Sequence, residues 1–265
     1  MQKNSNKEHF IPMIKHIIET HFLKLSNQLN IEKKKNVVIG LGSGSTVAEL
    51  IKRISELPSK EKFKFISTSL QIKIIGEISG LEFTDESRIN DIDLVIDGAD
   101  QIDSNLNMIK GGGGALLKEK IIMYAAKEKI ILADSNKFVT NFNMPIPIEV
   151  HPFARFTIMK KLQDISSSID KFSPNSNFDH KNTFETKNNN ISKPTIRTIG
   201  KGYPFITENG NIIIDVEFPN IVNIEKIEKE IKNIPGVLEV GLFSRKNNTK
   251  YYSVNGEGNF SIQST

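Results

Sequence analysis

The chain has 265 residues, of which 38% are hydrophobic and 25% are charged, enough for one large or two modest hydrophobic cores. The absence of cysteine excludes disulfides, thiol nucleophiles and cysteine-based zinc sites. The net charge of +4 is spread over many lysines without a basic stripe, and no apolar run reaches the roughly 20 residues of a membrane span. With no signal-peptide core at the N-terminus, we expect a cytoplasmic protein without nucleic-acid or membrane partners.

Strands and helices alternate in the first half of the chain. Apolar residues at helical spacing predict a helix over residues 10–25, and a polar, lysine-rich loop is predicted at 27–36. Short β-branched runs and amphipathic segments then alternate, with strands predicted at 37–39, 63–66, 81–83, 92–96 and 130–133 and helices at 47–54, 70–78 and 115–126. This alternation predicts an α/β fold with a doubly wound, mostly parallel sheet.

The order of elements changes after Pro145. It becomes that of a ferredoxin-like α+β domain, β-α-β-β-α-β, with strands predicted at 146–150, 195–199, 212–218 and 237–243 and helices at 153–165 and 224–234. Within it, the Ser- and Asn-rich residues at about 166–192 predict a low-complexity, mobile insertion.

Short strands over residues 251–262 are expected to return to the first sheet. We therefore predict an α/β catalytic domain, residues 1–145 plus 244–265, and a smaller α+β domain, residues 146–243.

The first motif is the glycine turn GLGSGST at residues 40–46, between a predicted strand and a predicted helix. Free amides at a helix N-terminus favour an anion, and Ser43, Ser45 and Thr46 add hydroxyl groups. It is not a dinucleotide fingerprint, because the third glycine comes one residue early and the next strand ends in Ser-Thr-Ser instead of an acid. A small phosphate and an ordinary strand–helix turn remain as alternatives.

The second motif is DGADQID at residues 97–103, directly after a predicted strand. Ligands bind at the carboxyl edge of parallel sheets, so Asp97 and Asp100 are candidates to bond sugar hydroxyls or move protons. Asp103 is better explained by turn formation. Clustered aspartates are also compatible with magnesium, although no histidine is close in the sequence.

The third motif is KGGGGALLKEK at residues 110–120. Four consecutive glycines have no packing value, which indicates a backbone that approaches a ligand, with amides suited to an oxyanion. Lys110 precedes the glycines and Glu119 lies about one turn into the next helix. The alternatives are a flexible hinge and, for the KEK run, a solvated helix face. Lys137, after the following strand, is expected at the same edge, although alone it is typical of a surface lysine.

These motifs together resemble the ribose-5-phosphate isomerase A family. The matching pieces run in family order from Val37 to Phe243: GLGSGST, DGADQID, KGGGGALLKEK, LADSNK, PIPIEV, TENGNIIIDVEF and PGVLEVGLF. The resemblance implies an α/β catalytic domain with an α+β domain that helps to form a homodimer. It also implies interconversion of D-ribose 5-phosphate and D-ribulose 5-phosphate through a metal-free enediol(ate), in the non-oxidative pentose phosphate pathway and without a cofactor.

The resemblance also implies residue roles. Glu119 would move the proton between C2 and C1, Asp97 would assist ring opening and proton movement at the hydroxyls, and Lys110 would steady the enediolate oxygens. The other positions that it implies for substrate binding are Ser43, Gly44, Ser45, Thr46, Gly98, Ala99, Asp100, Gly111, Gly112, Gly113 and Lys137.

The chain departs from the family pattern at two places. Ser43 stands where the family commonly has Thr, and Leu117-Lys118 stands where it often has Thr-Arg. Lys15 is a candidate for a family lysine that reaches the site from the N-terminal helix, but extra residues near 26–35 leave that alignment open. The alternatives to the isomerase are a non-catalytic sugar-phosphate sensor, another phosphosugar isomerase, and a CoA-transferase-like enzyme on a related fold.

Overall fold

The structure, a computed structural model, describes residues 7–32, 36–171, 193–218, 221 and 223–265. In these ranges the helices are, in chain order, α1 Ile11–Ile17, α2 Leu23–Glu32, α3 Ser45–Ser55, α4 Leu70–Ile78, α5 Leu116–Ala125, α6 Arg155–Lys171 and α7 Ile224–Lys232. None of them is long and apolar enough to cross a membrane.

The N-terminal helix is longer than predicted. A π-helical stretch, Ile18–Phe22, joins α1 to α2, and α2 continues to Glu32. The prediction of a loop from residue 27 is therefore wrong as far as Glu32, and residues 33–35 lie outside the described part. The polar composition concealed the helical spacing of Phe22, Leu25 and Leu29, which continues the pattern of the preceding turns.

The strands are, in chain order, β1 Val37–Leu41, β2 Phe63–Ser67, β3 Ile92–Gly98, β4 Gln101–Ile102, β5 Met108–Ile109, β6 Glu128–Asp134, β7 Ile146–Val150, β8 Thr195–Ile196, β9 Thr198–Ile199, β10 Tyr203–Pro204, β11 Ile212–Val216, β12 Val237–Val240, β13 Leu242–Phe243, β14 Thr249–Val254 and β15 Phe260–Ser264. Six of them form one sheet in the order β15-β14-β6-β3-β1-β2. It is parallel except for β15, which confirms the mostly parallel sheet and the return of the last strands to it.

Side chains of this sheet are buried on both faces. In β1, Ile39 and Leu41 point to one face, where α1, α3 and α4 pack, and Val38 points to the other, where α5 packs. This alternation follows from the two-residue period of a strand. Each such buried side chain contributes about 1.5–3 kcal/mol, so both layers hold the sheet in place. The predicted strand at 81–83 is wrong, because only Phe83 forms a bridge, to Phe65 in β2.

A second, four-stranded antiparallel sheet has the order β12-β7-β11-β8, with α6 and α7 supplying apolar residues to its core. The first βαβ unit, β7-α6-β8, has β11 between its two strands. The second unit, β11-α7-β12, has β7 between its two strands. This is the predicted ferredoxin-like arrangement.

Helix α6 contradicts the predicted start of the low-complexity insertion. It extends to Lys171, and the buried Ser166 hydroxyl donates to the carbonyl of Glu217 over 3.2 Å. Residues 172–192 of that prediction lie outside the described part.

A small three-stranded sheet, β13-β5-β4, connects the two larger ones. The strand predicted at 237–243 breaks at Gly241, which accepts from the Lys110 amide (2.9 Å) and donates to the Pro147 carbonyl (2.7 Å). A Cβ at Gly241 would lie within 2.8 Å of the carbonyl oxygens of both Lys110 and Pro147, so a side chain does not fit there. The strand predicted at 195–199 likewise breaks, at Arg197, into β8 and β9. Both breaks place second-sheet residues against the glycine-rich third motif.

Candidate active site

A cavity of about 280 Å³ opens at the carboxyl edge of the six-stranded sheet. Every site residue predicted from the sequence lines it, namely Ser43, Gly44, Ser45, Thr46, Asp97, Gly98, Ala99, Asp100, Lys110, Gly111, Gly112, Gly113, Glu119 and Lys137. They meet because β3 lies between β1 and β6, so the residues that follow these three parallel strands reach one edge.

The glycine turn and Asp97 are in close contact. A Cβ at Gly42 would overlap the Asp97 carboxylate, so only glycine fits there. Asp97 Oδ1 accepts from the amides of Gly98 (2.7 Å) and Ser43 (3.3 Å). Gly42, the second glycine of the turn, therefore leaves space for the Asp97 carboxylate. The interpretation of this turn as a phosphate site, drawn from the sequence, did not include that requirement.

Lys110 lies between two buried carboxylates. Its Nζ is 2.8 Å from Asp97 Oδ2 and 3.1 Å from Glu119 Oε2, and the three side chains are 3%, 1% and 4% exposed, respectively. It also donates to the Gly98 carbonyl over 2.5 Å. An ammonium has three N–H bonds, and three protein acceptors surround this one. The cluster carries a formal charge of −1 when both carboxylates are ionised.

The burial of this cluster changes its proton equilibria. Burial, and then the charge of Glu119, raises the pKa of Asp97 to about 7, against the opposing effect of Lys110. Burial alone would lower the pKa of Lys110, but the charges of Asp97 and Glu119 outweigh it and raise that pKa above its ordinary value. The lysine therefore stays charged at neutral pH, and a pKa near 7 makes the Asp97 carboxyl suited to proton transfer.

Glu119 lies in the first turn of α5 and is buried. Its Oε1 accepts from Ser43 Oγ over 2.5 Å, and its Oε2 faces Lys110. Both oxygens are thus held by groups from other parts of the fold, which fixes the orientation of the carboxylate. A fixed, buried carboxylate is suited to removing a proton from carbon.

Asp100 and the glycine loop are also bonded to each other. Asp100 Oδ2 accepts from the Gly112 amide over 2.7 Å, so this amide, one of those predicted to face an oxyanion, is already engaged. Among the described residues, the amides of Gly111 and Gly113 donate to no protein acceptor. A Cβ on Gly113 would be 3.6 Å from Ser43 Oγ, which places Gly113 next to the hydroxyl that holds Glu119.

Cations and a helix N-terminus form another side of the cavity. Helix α3 begins at Ser45, so the first-turn amides have no carbonyl partner within the helix and carry its positive end. Lys137 lines the cavity and donates to the Ala99 carbonyl over 2.6 Å, and burial lowers the pKa of Lys137. Lys7 lines it too and pairs with Asp134 at 3.1 Å. These groups suit a phosphate.

Four lining residues were not predicted as site residues: Lys7, Ser69, Gln71 and Glu208. Ser69 and Gln71 come just after β2, so their position at the same sheet edge was a usable signal. Lys7 precedes the first predicted helix and Glu208 lies in a distant hairpin, so neither had a sequence signal. Lys15 is exposed on α1 and does not line the cavity.

The solvated-face alternative for the KEK run is wrong for two of its three residues. Glu119 is buried, and Lys120 Nζ donates to Glu228 (2.6 Å), Glu239 (3.0 Å) and the carbonyls of Val240 (2.7 Å) and Leu242 (2.8 Å). The hydrophilic composition concealed the tertiary contacts of Glu119 with Ser43 and Lys110 and those of Lys120 with α7 and the β12–β13 region. In the described part of the chain, no group of three or more His, Asp or Glu side chains is placed to hold a metal ion.

The cavity places a fixed, buried carboxylate beside cations and a helix N-terminus that suit a phosphate, at the carboxyl edge of an α/β sheet. Together the fold and this arrangement are those expected of an isomerase of phosphorylated sugars. Residues 64–257 match the family described as Ribose 5-phosphate isomerase A (phosphoriboisomerase A). The chain belongs to this family, which confirms the resemblance drawn from the motifs.

Individual relatives agree with this assignment. A ribose-5-phosphate isomerase of Dictyostelium discoideum is 38% identical over 225 residues, which are 83% of this chain and 87% of the relative. The structure of ribose 5-phosphate isomerase A from Methanocaldococcus jannaschii is 30% identical with a TM-score of 0.77, over 98% of this chain and 100% of that one. A D-ribose-5-phosphate isomerase in complex with phospho-erythronic acid is 32% identical with a TM-score of 0.72, over 91% of this chain and 97% of that one.

Proposed function

We propose that this cavity is where the chain interconverts D-ribose 5-phosphate and D-ribulose 5-phosphate, with Glu119 as the base. The observation that carries the assignment is the buried cluster in which Ser43 and Lys110 hold the two oxygens of Glu119 beside Asp97. Family membership and this buried base favour the enzyme over a sugar-phosphate sensor or a CoA-transferase-like enzyme.

The phosphate of the substrate is bound at the N-terminus of α3. The first-turn amides and the hydroxyls of Ser45 and Thr46 donate to it, and Lys7 and Lys137 supply positive charge. Asp100, on the same wall as Asp97, accepts from sugar hydroxyls. This leaves C1 and C2 for the end of the cavity that holds Glu119.

Ring opening comes first. Asp97, as the anion, accepts the proton of the C1 hydroxyl while the bond between C1 and the ring oxygen breaks, and it returns that proton to the ring oxygen. A pKa near 7 allows Asp97 both to accept and to donate the proton at neutral pH. Its burial beside Lys110 keeps its position fixed during the transfer.

Isomerisation follows through an enediolate. Glu119 removes the C2 proton, the electron pair forms the C1–C2 double bond, and negative charge develops on O1. Asp97 carries a proton from the O2 hydroxyl to O1, and Glu119 returns its proton to C1, which yields the ketose. Proton count and charge are the same at the start and the end.

The charge on O1 must be stabilised, because a carboxylate is a weak base toward carbon. The amides of Gly111 and Gly113 are the free donors of the glycine loop, and each well-placed donor contributes about 3 kcal/mol. Lys110 acts through its charge, since its ammonium already donates to the Gly98 carbonyl and lies against the carboxylates of Asp97 and Glu119. No step in this scheme uses a metal ion.

The test is replacement of the base. Glu119→Gln should abolish nearly all ketose formation from ribose 5-phosphate, with a chelator present, while the variant still binds the sugar phosphate. Glu77→Gln makes the same chemical change on exposed α4 and should keep full activity. Undiminished turnover in Glu119→Gln would contradict the assignment of the base. A panel of other phosphorylated aldoses in the same assay tests the substrate.

We extend the proposal to domain organisation and assembly. The division into residues 1–145 plus 244–265 and residues 146–243 is supported by the return of β14 and β15 to the first sheet and by the separate core of the second. A cytoplasmic homodimer is what the resemblance implies. Phe153 and Phe156 are 90% and 69% exposed and form an apolar surface available for such a contact. Light scattering of the purified chain measures the assembly.

A further inference from the structure

Arg197, outside the cavity, contacts the glycine loop from behind. It is the residue at which the predicted strand breaks into β8 and β9, and its backbone is held on both sides. Its amide donates to the Ile213 carbonyl (2.8 Å), and its carbonyl accepts from the Phe205 amide (2.9 Å). Its side chain crosses from the second sheet to the loop that carries Gly111 and Gly112.

The guanidinium makes two pairs of contacts. Nε and Nη2 bind the two carboxylate oxygens of Asp215 at 2.8 and 2.5 Å, which fixes the plane of the group. Nη1 donates to the carbonyls of Gly111 (2.7 Å) and Gly112 (3.0 Å). The ion pair is 17% and 21% exposed, so it is only partly open to solvent. The carbonyls of two successive glycines are therefore held toward one fixed group.

Holding a carbonyl also sets the direction of the next amide. A trans peptide is planar, so its C=O and its N–H point in opposite directions. With the Gly111 carbonyl turned to Arg197, the Gly112 amide points away, and it donates to Asp100 in the cavity. With the Gly112 carbonyl turned the same way, the Gly113 amide also points away from Arg197. A Cβ on Gly113 would lie 3.6 Å from Ser43 Oγ, so this glycine borders the hydroxyl that holds Glu119.

We propose that Arg197, braced by Asp215, is a positioning residue that turns the Gly113 amide toward the reacting oxygen. Glycine has the widest choice of backbone conformations, and four in succession have no side chains to hold them. The turn bond within the loop, from the Gly114 amide to the Gly111 carbonyl (3.0 Å), does not involve the Gly112 carbonyl, which Arg197 holds from the second sheet. That sheet thus contributes to catalysis without touching substrate. The inference rests on the proposed function.

Steady-state kinetics of Arg197→Met, Arg197→Lys and Asp215→Asn test it. A donor that is no longer held in place affects the transition state more than the bound substrate, so kcat should fall roughly 10- to 100-fold while KM for ribose 5-phosphate stays within about threefold. Affinity for phospho-erythronic acid, whose carboxylate presents charged oxygens, should fall by a similar factor. Lysine should not substitute, because it lacks the planar fork that serves two partners.

Arg88→Met is the matched control, since Arg88 also pairs with an aspartate, Asp91, but on the surface ahead of β3, away from the glycine loop. It should keep the parent kcat. Methylguanidinium added to Arg197→Ala should restore activity in a saturable way.

If the parent enzyme shows no isomerase activity, the proposed function itself fails. If the parent is active and a folded Arg197→Met or Asp215→Asn keeps kcat within about twofold, the positioning role alone is overturned. If the Arg197 variants fail to fold, Asp215→Asn decides, because it retains the arginine. A kcat lowered roughly 10- to 100-fold supports the positioning role, and a kcat within about twofold of the parent overturns it.

Discussion

Ser43 Oγ donates to Glu119 Oε1 over 2.5 Å, although the two residues are 76 positions apart. The hydroxyl comes from the turn after β1, and the carboxylate comes from the first turn of α5. This bond joins the glycine turn, which holds the proposed phosphate site, to the proposed base. Substrate binding and base orientation are therefore coupled through one serine.

Removing this hydroxyl should weaken catalysis more than binding. We expect Ser43→Ala to lower kcat about 10-fold or more with a smaller change in KM, because the carboxylate loses the donor that orients it. Ser43→Thr keeps a hydroxyl and should retain most activity. Initial rates of ketose formation measure both variants, and equal kcat values for Ser43→Ala and the parent enzyme would refute the orienting role.

The buried Asp97 should make stability depend on pH. Its folded pKa of about 7 lies above the ordinary value of 3.8, so between these pH values the folded state holds a proton that the unfolded state releases. The stability contributed by this proton is fully present below the unfolded pKa and is lost as pH rises through about 7. Asp97→Asn should therefore gain stability relative to the parent enzyme as pH rises from about 4 to about 8.

Urea unfolding at several pH values measures this difference, and activity should fall in the same variant. Asp164→Asn, an exposed change on α6, is the control and should follow the parent curve. Parallel stability curves for Asp97→Asn and the parent enzyme would show that the carboxyl is not perturbed as described.

Lys110 should be essential to stability as well as to activity. Lys110→Met leaves Asp97 and Glu119 buried without their counter-ion, and breaking a buried pair in this way costs about 3–5 kcal/mol. The double variant Asp97→Asn/Lys110→Met should be less destabilised than the sum of the single variants, because one of the two uncompensated charges is removed. Denaturant unfolding of the four proteins gives the coupling free energy.

A surface pair provides the comparison. Lys52→Met breaks the exposed contact with Glu49 and should change the free energy of unfolding by about 0–1 kcal/mol. A similarly small effect in Lys110→Met would contradict the buried cluster.

Lys120 should anchor the catalytic helix. Its four acceptors belong to α7 and the β12–β13 region, so it ties α5 to the second sheet one residue after Glu119. Lys120→Met should lower the free energy of unfolding by about 3 kcal/mol and reduce kcat, because buried acceptors lose their donor. Lys118→Met breaks a single, half-exposed pair with Glu208 and should cost about 0–1 kcal/mol. Thermal unfolding with parallel kinetics distinguishes the two, and equal stability of both variants would refute the anchoring role.

Much of the fold could be predicted, because it depends on local patterns. The short, β-branched apolar runs of β1 and β3 and the amphipathic spacing of α3 and α4 are readable within a few residues. The failures occurred where a pattern was ambiguous or interrupted. The polar end of α2 concealed a helical spacing, and single residues, Arg197 and Gly241, divided predicted strands between different sheets.

The sequence by itself determined which residue types reach the carboxyl edge of the parallel sheet, where the cavity opens. Strand ends carry Ser43, Asp97 and Lys137 to one side of a parallel sheet, and that topology follows from the order of elements. Only the tertiary structure decided how those residues are paired. Lys110 between two carboxylates, Ser43 on Glu119 and Arg197 behind the glycines are contacts between distant segments, which no local period encodes. They arise from the packing of α5 and the second sheet against the first. A charged or polar group that this packing buries is stable only when it is paired or hydrogen-bonded.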